Sequence, residues 1–293
     1  MPNNSATIPI LLDTDIGSDI DDAVALAYLL RQPRCELVGI TSVTGDVQKR
    51  AALAEVICRA AGREDIPIHC GKREVLINGP GQPHVPQYEK ILDLPHRMDR
   101  PENTAVDYLR ETIRARPGEI TLLSIGPMAN IALLFAIDPE IPFLCKSVVS
   151  MLGQFFSESN REWNSICDPG ASAIVYRQPR KEHISIGLDV TLKVKMPAEE
   201  VRSRFVDEPL ATVRTLAESW FTHSSELTFH DPLAAAIIFD PSLCTFQSGQ
   251  VEVLALSDPQ NAGQTQFTLG SGPDRVADSV HVDCFFEHFF SVF

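Results

Sequence analysis

The stretch Asp13-Thr14-Asp15-Ile16-Gly17-Ser18-Asp19-Ile20-Asp21-Asp22 decides how the rest of the chain is read. It follows a short apolar run, Ile8-Pro9-Ile10-Leu11-Leu12, and precedes a longer one, Ala23-Val24-Ala25-Leu26-Ala27-Tyr28-Leu29-Leu30. The first run predicts a buried strand and the second a helix, so the acidic segment is a strand-to-helix turn. Its carboxylates, Asp13, Asp15, Asp19, Asp21 and Asp22, repel one another at this density, and burying them uncompensated is costly. Part of the charge can face the positive end of the following helix dipole. A bound cation is the simplest remedy for the rest, and hard oxygen ligands suit calcium or magnesium.

Working outward, the same rhythm repeats. Residues 35–43 predict a second strand, and Thr44-Gly45-Asp46 turns into a helix over residues 48–61 that Gly62 stops. Residues 66–69 predict a short third strand. Strands alternating with helices indicate a parallel sheet with right-handed crossovers. Residues 71–100 break the pattern. Gly79-Pro80-Gly81-Gln82-Pro83-His84-Val85-Pro86 is rich in turn formers, which fits either an active-site cover or a plain surface excursion. His84 could meet a ligand from there or simply be solvated.

Further on, a helix is expected over residues 103–116 and a strand over 119–125. Gly126-Pro127-Met128-Ala129-Asn130 then opens a helix, with a sharp glycine turn that leaves the Ile125 carbonyl free. A strand over 147–152, a polar loop over 153–167, a helix from Asp168-Pro169 to Arg177 and a strand over 183–188 follow, with Asp189-Val190-Thr191 at the strand's exit. Helical stretches are expected over 198–205 and 210–228, and another over 233–239 begun by Phe229-His230-Asp231-Pro232. The tail predicts β-segments over 249–255 and 266–269. A last helix carries Phe285, Phe286, Phe289 and Phe290 on one face, a stripe suited to core packing or a subunit contact. With no repeats and no low-complexity linker, residues 1–293 read as one α/β domain: an open, mostly parallel sheet flanked by helices. Its ligand site is expected at the C-terminal ends of the strands.

Composition narrows the function. The 293 residues carry a formal net charge of −14, which excludes a nucleic-acid polymer as partner but not a nucleoside, which has no phosphate. The seven cysteines are scattered, odd in number and never spaced C-x-x-C, which suits buried thiols in a reducing compartment. The N-terminal residues Met1–Thr7 lack the basic end and apolar centre of a signal peptide. No apolar run reaches membrane-spanning length. The expected location is the cytoplasm.

Several chemistry-bearing groups sit at strand ends: the acidic turn, Thr44-Gly45-Asp46, the Ile125 carbonyl, and Arg161-Glu162-Trp163-Asn164 beyond the strand at 147–152. His230-Asp231 arrives from a helix start. In this order the chain resembles the nucleoside hydrolases, the inosine–uridine-preferring N-ribohydrolase family, from Ile10 to the final helix. The residues that carry the resemblance are the acidic turn ending Asp21-Asp22-Ala23, Gly126-Pro127-Met128-Ala129-Asn130, Glu162-Trp163-Asn164 before Cys167-Asp168-Pro169, and His230-Asp231-Pro232-Leu233-Ala234. The resemblance implies a Rossmann-like fold, hydrolysis of ribonucleosides to ribose and free base, and assembly as a homodimer or homotetramer. It implies a calcium ion held by Asp15, Asp22, Asp231 and the Ile125 carbonyl, with Asp15 also the general base toward a metal-bound water. It places Asp21, Asp46, Glu162 and Asn164 on the sugar and His230 beside the departing base.

The chemistry agrees with that assignment. N-glycosidic cleavage passes through an oxocarbenium-like state that negative charge stabilises. A metal makes water more acidic, and a histidine can protonate a base that would otherwise leave as an anion. Clustered acids disfavour nucleotides, whose phosphate they repel. The turn departs from the commoner family pattern: Ile16 stands in place of proline and two extra residues precede Asp21-Asp22, which leaves the role of Asp19 open. Asp46 stands where many members have asparagine, and residues 71–100 lack a clear His-Gly counterpart. Two other readings compete. A haloacid-dehalogenase-like phosphatase would use Asp13 as nucleophile and Asp15 as acid/base with magnesium, but Gly17 stands where such enzymes usually have threonine. A non-catalytic nucleoside or sugar binder could share the same fold.

Overall fold

Strand β1 (Ile8–Thr14) is buried along its whole length, as expected of a strand with helices over both faces. In the computed structural model, which describes residues 7–157, 160–255 and 260–293, it stands inside a large sheet, two strands in from one edge. Residues 1–6, where the leader expectation falls, and positions 158–159 of the expected polar loop lie outside the described residues.

From β1 the chain runs through α1 (Asp21–Arg31), β2 (Cys35–Ser42), α2 (Val47–Ala60), β3 (Ile68–Cys70), α3 (Ala105–Ala115), β4 (Thr121–Ser124), α4 (Ala129–Ile137) and α5 (Ile141–Leu144). Next come β5 (Ser147–Met151), α6 (Trp163–Cys167), α7 (Pro169–Arg177), β6 (His183–Ile186), α8 (Leu188–Thr191), β7 (Lys195–Pro197), α9 (Ala198–Arg204) and α10 (Leu210–Trp220). The last elements are β8 (Glu226–Thr228), α11 (His230–Ala236), β9 (Cys244–Val253), β10 (Thr265–Leu269), β11 (Asp274–Val280) and α12 (Val282–Phe290). The sheet order is β10-β9-β11-β6-β5-β4-β1-β2-β3, with β7 and β8 forming a separate antiparallel pair. From β3 to β11 the pairing is parallel; β9 runs antiparallel to both of its neighbours.

Successive residues of β1 feed opposite cores. Ile10 and Leu12 join Val24, Leu53, Leu233 and Phe285 on one face. Leu11 joins Leu122, Phe135, Val148 and Tyr176 on the other. Asp13 lies level with Ser124 of β4, and Ser124 with Ser150 of β5, so these three strands end together and their exits open on one edge.

The sequence reading departs from this fold at the polar tail and in two loops. β11 was not expected, β9 begins five residues earlier than the predicted segment, and α10 stops at Trp220 where a helix to Thr228 was expected. The polar loop contains the short helix α6. Gly126 does not make a left-handed turn; it is needed because a Cβ there would stand 2.8 Å from both the backbone nitrogen and Oδ1 of Asp15. The phenylalanine stripe is core: Phe285 and Phe289 are fully buried, with ring centroids 5.8 and 5.4 Å from Phe229. Among the described residues no helix is long and apolar enough to cross a membrane.

Candidate active site

The strand exits surround a cavity of about 420 Å³ that, among the described residues, no lysine or arginine lines. From the turn after β1 and the first turn of α1 come Asp15, Asp19, Asp21 and Asp22; from beyond β4 and β5, Ile125, Glu162 and Asn164; from the start of α11, His230 and Asp231. Elements distant in sequence meet here because α11 packs alongside α1, which brings two helix N-termini to the same place. The acids in those first turns face the positive ends of their helix dipoles.

Asp21, Asp22 and Asp231 each offer an oxygen, and these oxygens lie within 4.8 Å of one another. All three residues are buried. Asp22 Oδ1 accepts from Thr14 Oγ1 at 2.5 Å, and Asp21 Oδ2 accepts from the Asp231 backbone N–H at 3.2 Å. Burial first, then the neighbouring carboxylates, pushes all three well above the ordinary aspartate range. Asp15 is raised by burial while the Arg50 guanidinium pulls it back down. Asp19 and Glu162 are each pushed up to about 7, chiefly by burial. Such a set of crowded, desolvated hard oxygens is a donor set for a divalent cation, whose charge would remove the repulsion.

The other expected residues fall out unevenly. Glu162 reaches the cavity, but it also caps α6: its carboxylate accepts from the backbone N–H groups of Asn164 (2.6 Å), Gly153 (3.1 Å) and Ser165 (3.1 Å). Asn164 Nδ2 donates to the carbonyls of Ile125 (2.9 Å) and Met151 (3.1 Å), so the Ile125 carbonyl is not free; one of its two lone pairs already has a partner. His230 Nδ1 lies 2.7 Å from Thr191 Oγ1, which leaves Nε2 for the cavity; burial and then Lys195 lower its pKa to about 4. Asp46 does not line the cavity. It caps α2, accepting from the Lys49 backbone N–H at 3.2 Å, and sits 3.8 Å from the Lys49 ammonium. Asp13, the rival nucleophile, is fully buried and bonded through Oδ1 to Thr41 and Asn130.

Segment 71–100 does contribute a wall, through Gln82, His84 and Pro86. Three lining residues escaped the sequence reading: Trp220, His223 and Leu188. The first two sit where α10 ends, and extending that helix to Thr228 hid them. Arg50 was missed as well, although its place beside Val47, Ala51 and Ala54 on the buried face of α2 was a signal available in the helical period.

Comparison with known proteins gives the family. Residues 10–287 match the family described as inosine-uridine preferring nucleoside hydrolase. The chain is 31% identical over 258 residues to the pyrimidine-specific ribonucleoside hydrolase RihA of Escherichia coli, covering 81% of each. It is 28% identical over 270 residues to a probable uridine nucleosidase 2 of Oryza sativa subsp. japonica, covering 83% of this chain and 77% of the relative. Among solved structures it superposes on a purine-preferring ribonucleoside hydrolase from Gardnerella vaginalis with TM-score 0.82 at 25% identity, over 97% of both chains. A plant nucleoside hydrolase, the PpNRh1 enzyme, gives TM-score 0.85 at 24% identity, over 97% of this chain and 98% of that one, and shares the fold. The family match and these relatives define an N-glycosyl hydrolase on an α/β fold. The chain belongs to the inosine-uridine preferring nucleoside hydrolase family.

Proposed function

We propose that the protein hydrolyses the N-glycosidic bond of ribonucleosides in a calcium-dependent reaction in which Asp15 is the general base. The observation that carries this reading is the cluster of Asp21, Asp22 and Asp231, buried together beside Asp15 at the strand exits. Asp15, Asp22, Asp231 and the remaining lone pair of the Ile125 carbonyl would hold the ion, and the position of Asp21 in the cluster makes it a further candidate ligand. When bound, the ion offsets the carboxylate charge and makes a neighbouring water more acidic.

The chain's own groups do the rest. Asp15 takes the proton of the attacking water. Asp21, Glu162 and Asn164 orient the ribose hydroxyls, and the anionic cavity stabilises positive charge growing on the sugar. With the Thr191 hydroxyl taken as the donor to His230 Nδ1, the neutral ring carries its proton on Nε2 and offers a hydrogen bond to the departing base. A lining without lysine or arginine supports nucleosides over nucleotides. The names of the curated relatives make uridine the first substrate to try. The seven unpaired thiols support a cytoplasmic setting. An edge strand, β10, ending in exposed Leu269 supports a homodimer or homotetramer, which light scattering would check.

Incubation with uridine, inosine and uridine monophosphate, followed by assays for ribose, free base and phosphate, tests the reading. Ribose and base from the nucleosides are expected, with loss of turnover in a chelator and recovery on adding calcium. Phosphate release, or binding without cleavage, would replace it. Burial of Asp13 weighs against the phosphatase outcome.

A further inference from the structure

One cation is buried at the back of the acidic cavity. Arg50 has no exposed surface, and its guanidinium is bonded entirely to oxygens that are not carboxylates. Nε donates to the Thr44 carbonyl at 2.8 Å. Nη1 donates to the carbonyls of Asp15 and Ile16, the latter at 3.0 Å, and to Ser18 Oγ at 3.3 Å. Nη2 donates to the Gln82 carbonyl at 2.6 Å. These acceptors come from three segments: the acidic turn, the exit of β2 and the irregular segment 71–100.

The same segments are stitched together around it. Thr44 Oγ1 accepts from the Gln82 N–H at 3.0 Å, the Gly45 N–H reaches the Arg73 carbonyl at 2.8 Å, and Ser18 Oγ donates to the His84 carbonyl at 3.0 Å. The fully buried Gln87 donates from Nε2 to the Asp19 carbonyl at 2.8 Å, and its backbone N–H reaches the Gly17 carbonyl at 3.2 Å. Thr44 itself is held at φ +62°, a left-handed conformation that a β-branched residue adopts only when its surroundings over-determine it. Among the described residues, Arg50 is the one side chain that bonds the Thr44 carbonyl, the general-base turn and the covering segment at once. A buried charge with no carboxylate in contact is costly to keep, and here it faces Asp15 and Asp22 across the turn.

We propose that Arg50 is a positioning residue for the reaction: its forked guanidinium locks the main chain of the Asp15 turn to the segment bearing Gln82 and His84, so that the cavity wall is set against the general base. The inference rests on the hydrolytic reading above. The two arms of the fork have different consequences. Nη1 holds the turn that carries Asp15 and Nε the exit of β2, whereas Nη2 is the arm that reaches the cover, alongside the bonds made by Thr44, Ser18 and Gln87. A residue that only stabilised the fold would change the melting temperature and leave the kinetic constants of the folded enzyme untouched.

The test uses Arg50→Lys and Arg50→Met in the calcium-loaded enzyme. Lysine keeps the charge but not the fork, so it can hold the turn and not the cover as well. For Arg50→Lys the KM for uridine is expected to rise about tenfold while kcat falls less than about threefold. Amide exchange at Gln82 and Gln87 should quicken by about tenfold or more, with α4 amides unchanged. Arg50→Met should lose kcat by about 100-fold and retain calcium poorly, because both arms are gone. If Arg50→Met does not fold, Arg50→Lys decides alone. Wild-type kcat, KM and exchange in Arg50→Lys would overturn the proposal, as would a lower melting temperature with both constants unchanged. A wild-type enzyme that releases no ribose from any nucleoside would sink the hydrolytic reading instead. Exchange in Arg50→Lys would then still decide whether the clamp exists.

Discussion

The two ends of the parallel sheet bury charge in opposite ways. At the N-terminal ends of β6 and β11, Asp274 and His183 face each other across the ladder, and Arg180 pairs with Asp274. The other oxygen of Asp274 accepts from the Val251 N–H at 2.7 Å, and Arg180 also donates to the Tyr176 and Gln178 carbonyls, each at 2.7 Å. Here each charge has an opposite partner in contact. At the C-terminal ends Asp15, Asp21, Asp22 and Asp231 are buried too, yet among the described residues no lysine or arginine lines their cavity. The same residue type is paired with an arginine at one end and left without one at the other. What separates them is whether the chain itself supplies the counter-charge.

Substitutions can break this contrast. The largest expected effect is at the reactive end: Asp15→Asn should lower turnover on every nucleoside by ~10²–10⁴ while leaving the fold intact. Near-normal turnover in the purified variant would remove Asp15 as the base. At the balanced end, Asp274→Ala strands Arg180 and should cost about 3–5 kcal/mol in urea unfolding. Asp231→Ala, by contrast, relieves repulsion, so in a chelator it should unfold no earlier than wild type while losing calcium and activity together. Equal destabilisation by the two substitutions would erase the distinction.

A finer test concerns His230. If Nε2 assists the departing base, His230→Ala should slow inosine by ~10² and spare a nitrophenyl riboside, whose leaving group needs no proton. Equal losses on both substrates would make His230 only a brace for Asp231. The smallest effect is a pH dependence at the balanced end. Burial, and then the Arg180 charge, holds the His183 pKa well below its ordinary value. The unfolded chain therefore binds a proton near pH 6.5 that the folded chain refuses, and stability falls as the pH drops through that value. His183→Gln should abolish about 1 kcal/mol of the stability lost between pH 6.5 and 5.5. An unchanged slope would show that another group titrates there.

What could be read from the sequence follows from how strongly each element is patterned. β1 and α1 are apolar runs separated by acids, and both appear where expected, as does the meeting of Asp22 with Asp231 from far along the chain. β11, Asp274-Arg275-Val276-Ala277-Asp278-Ser279-Val280, has only a partly buried surface and too many polar residues to read as a strand. Pairing with β6 and β9 makes it one, and no local signal carries that. Asp46 was placed on the sugar by the resemblance, and its position after a strand exit also makes it the N-cap of α2. Arg50 reads locally as one more charge on a helix. Only the return of segment 71–100 over α2 gives its second arm an acceptor.

The cavity wall has an optical consequence. The chain contains two tryptophans, Trp163 and Trp220, and both line the cavity. Trp163 is 49% exposed, and Trp220 stands edge-on to His223 with ring centroids 4.8 Å apart. Indole emission from this protein therefore comes entirely from the walls of the site, with no background from the core. Occupancy by an ion or a nucleoside can be followed in real time, without a label, from the colour and intensity of that light.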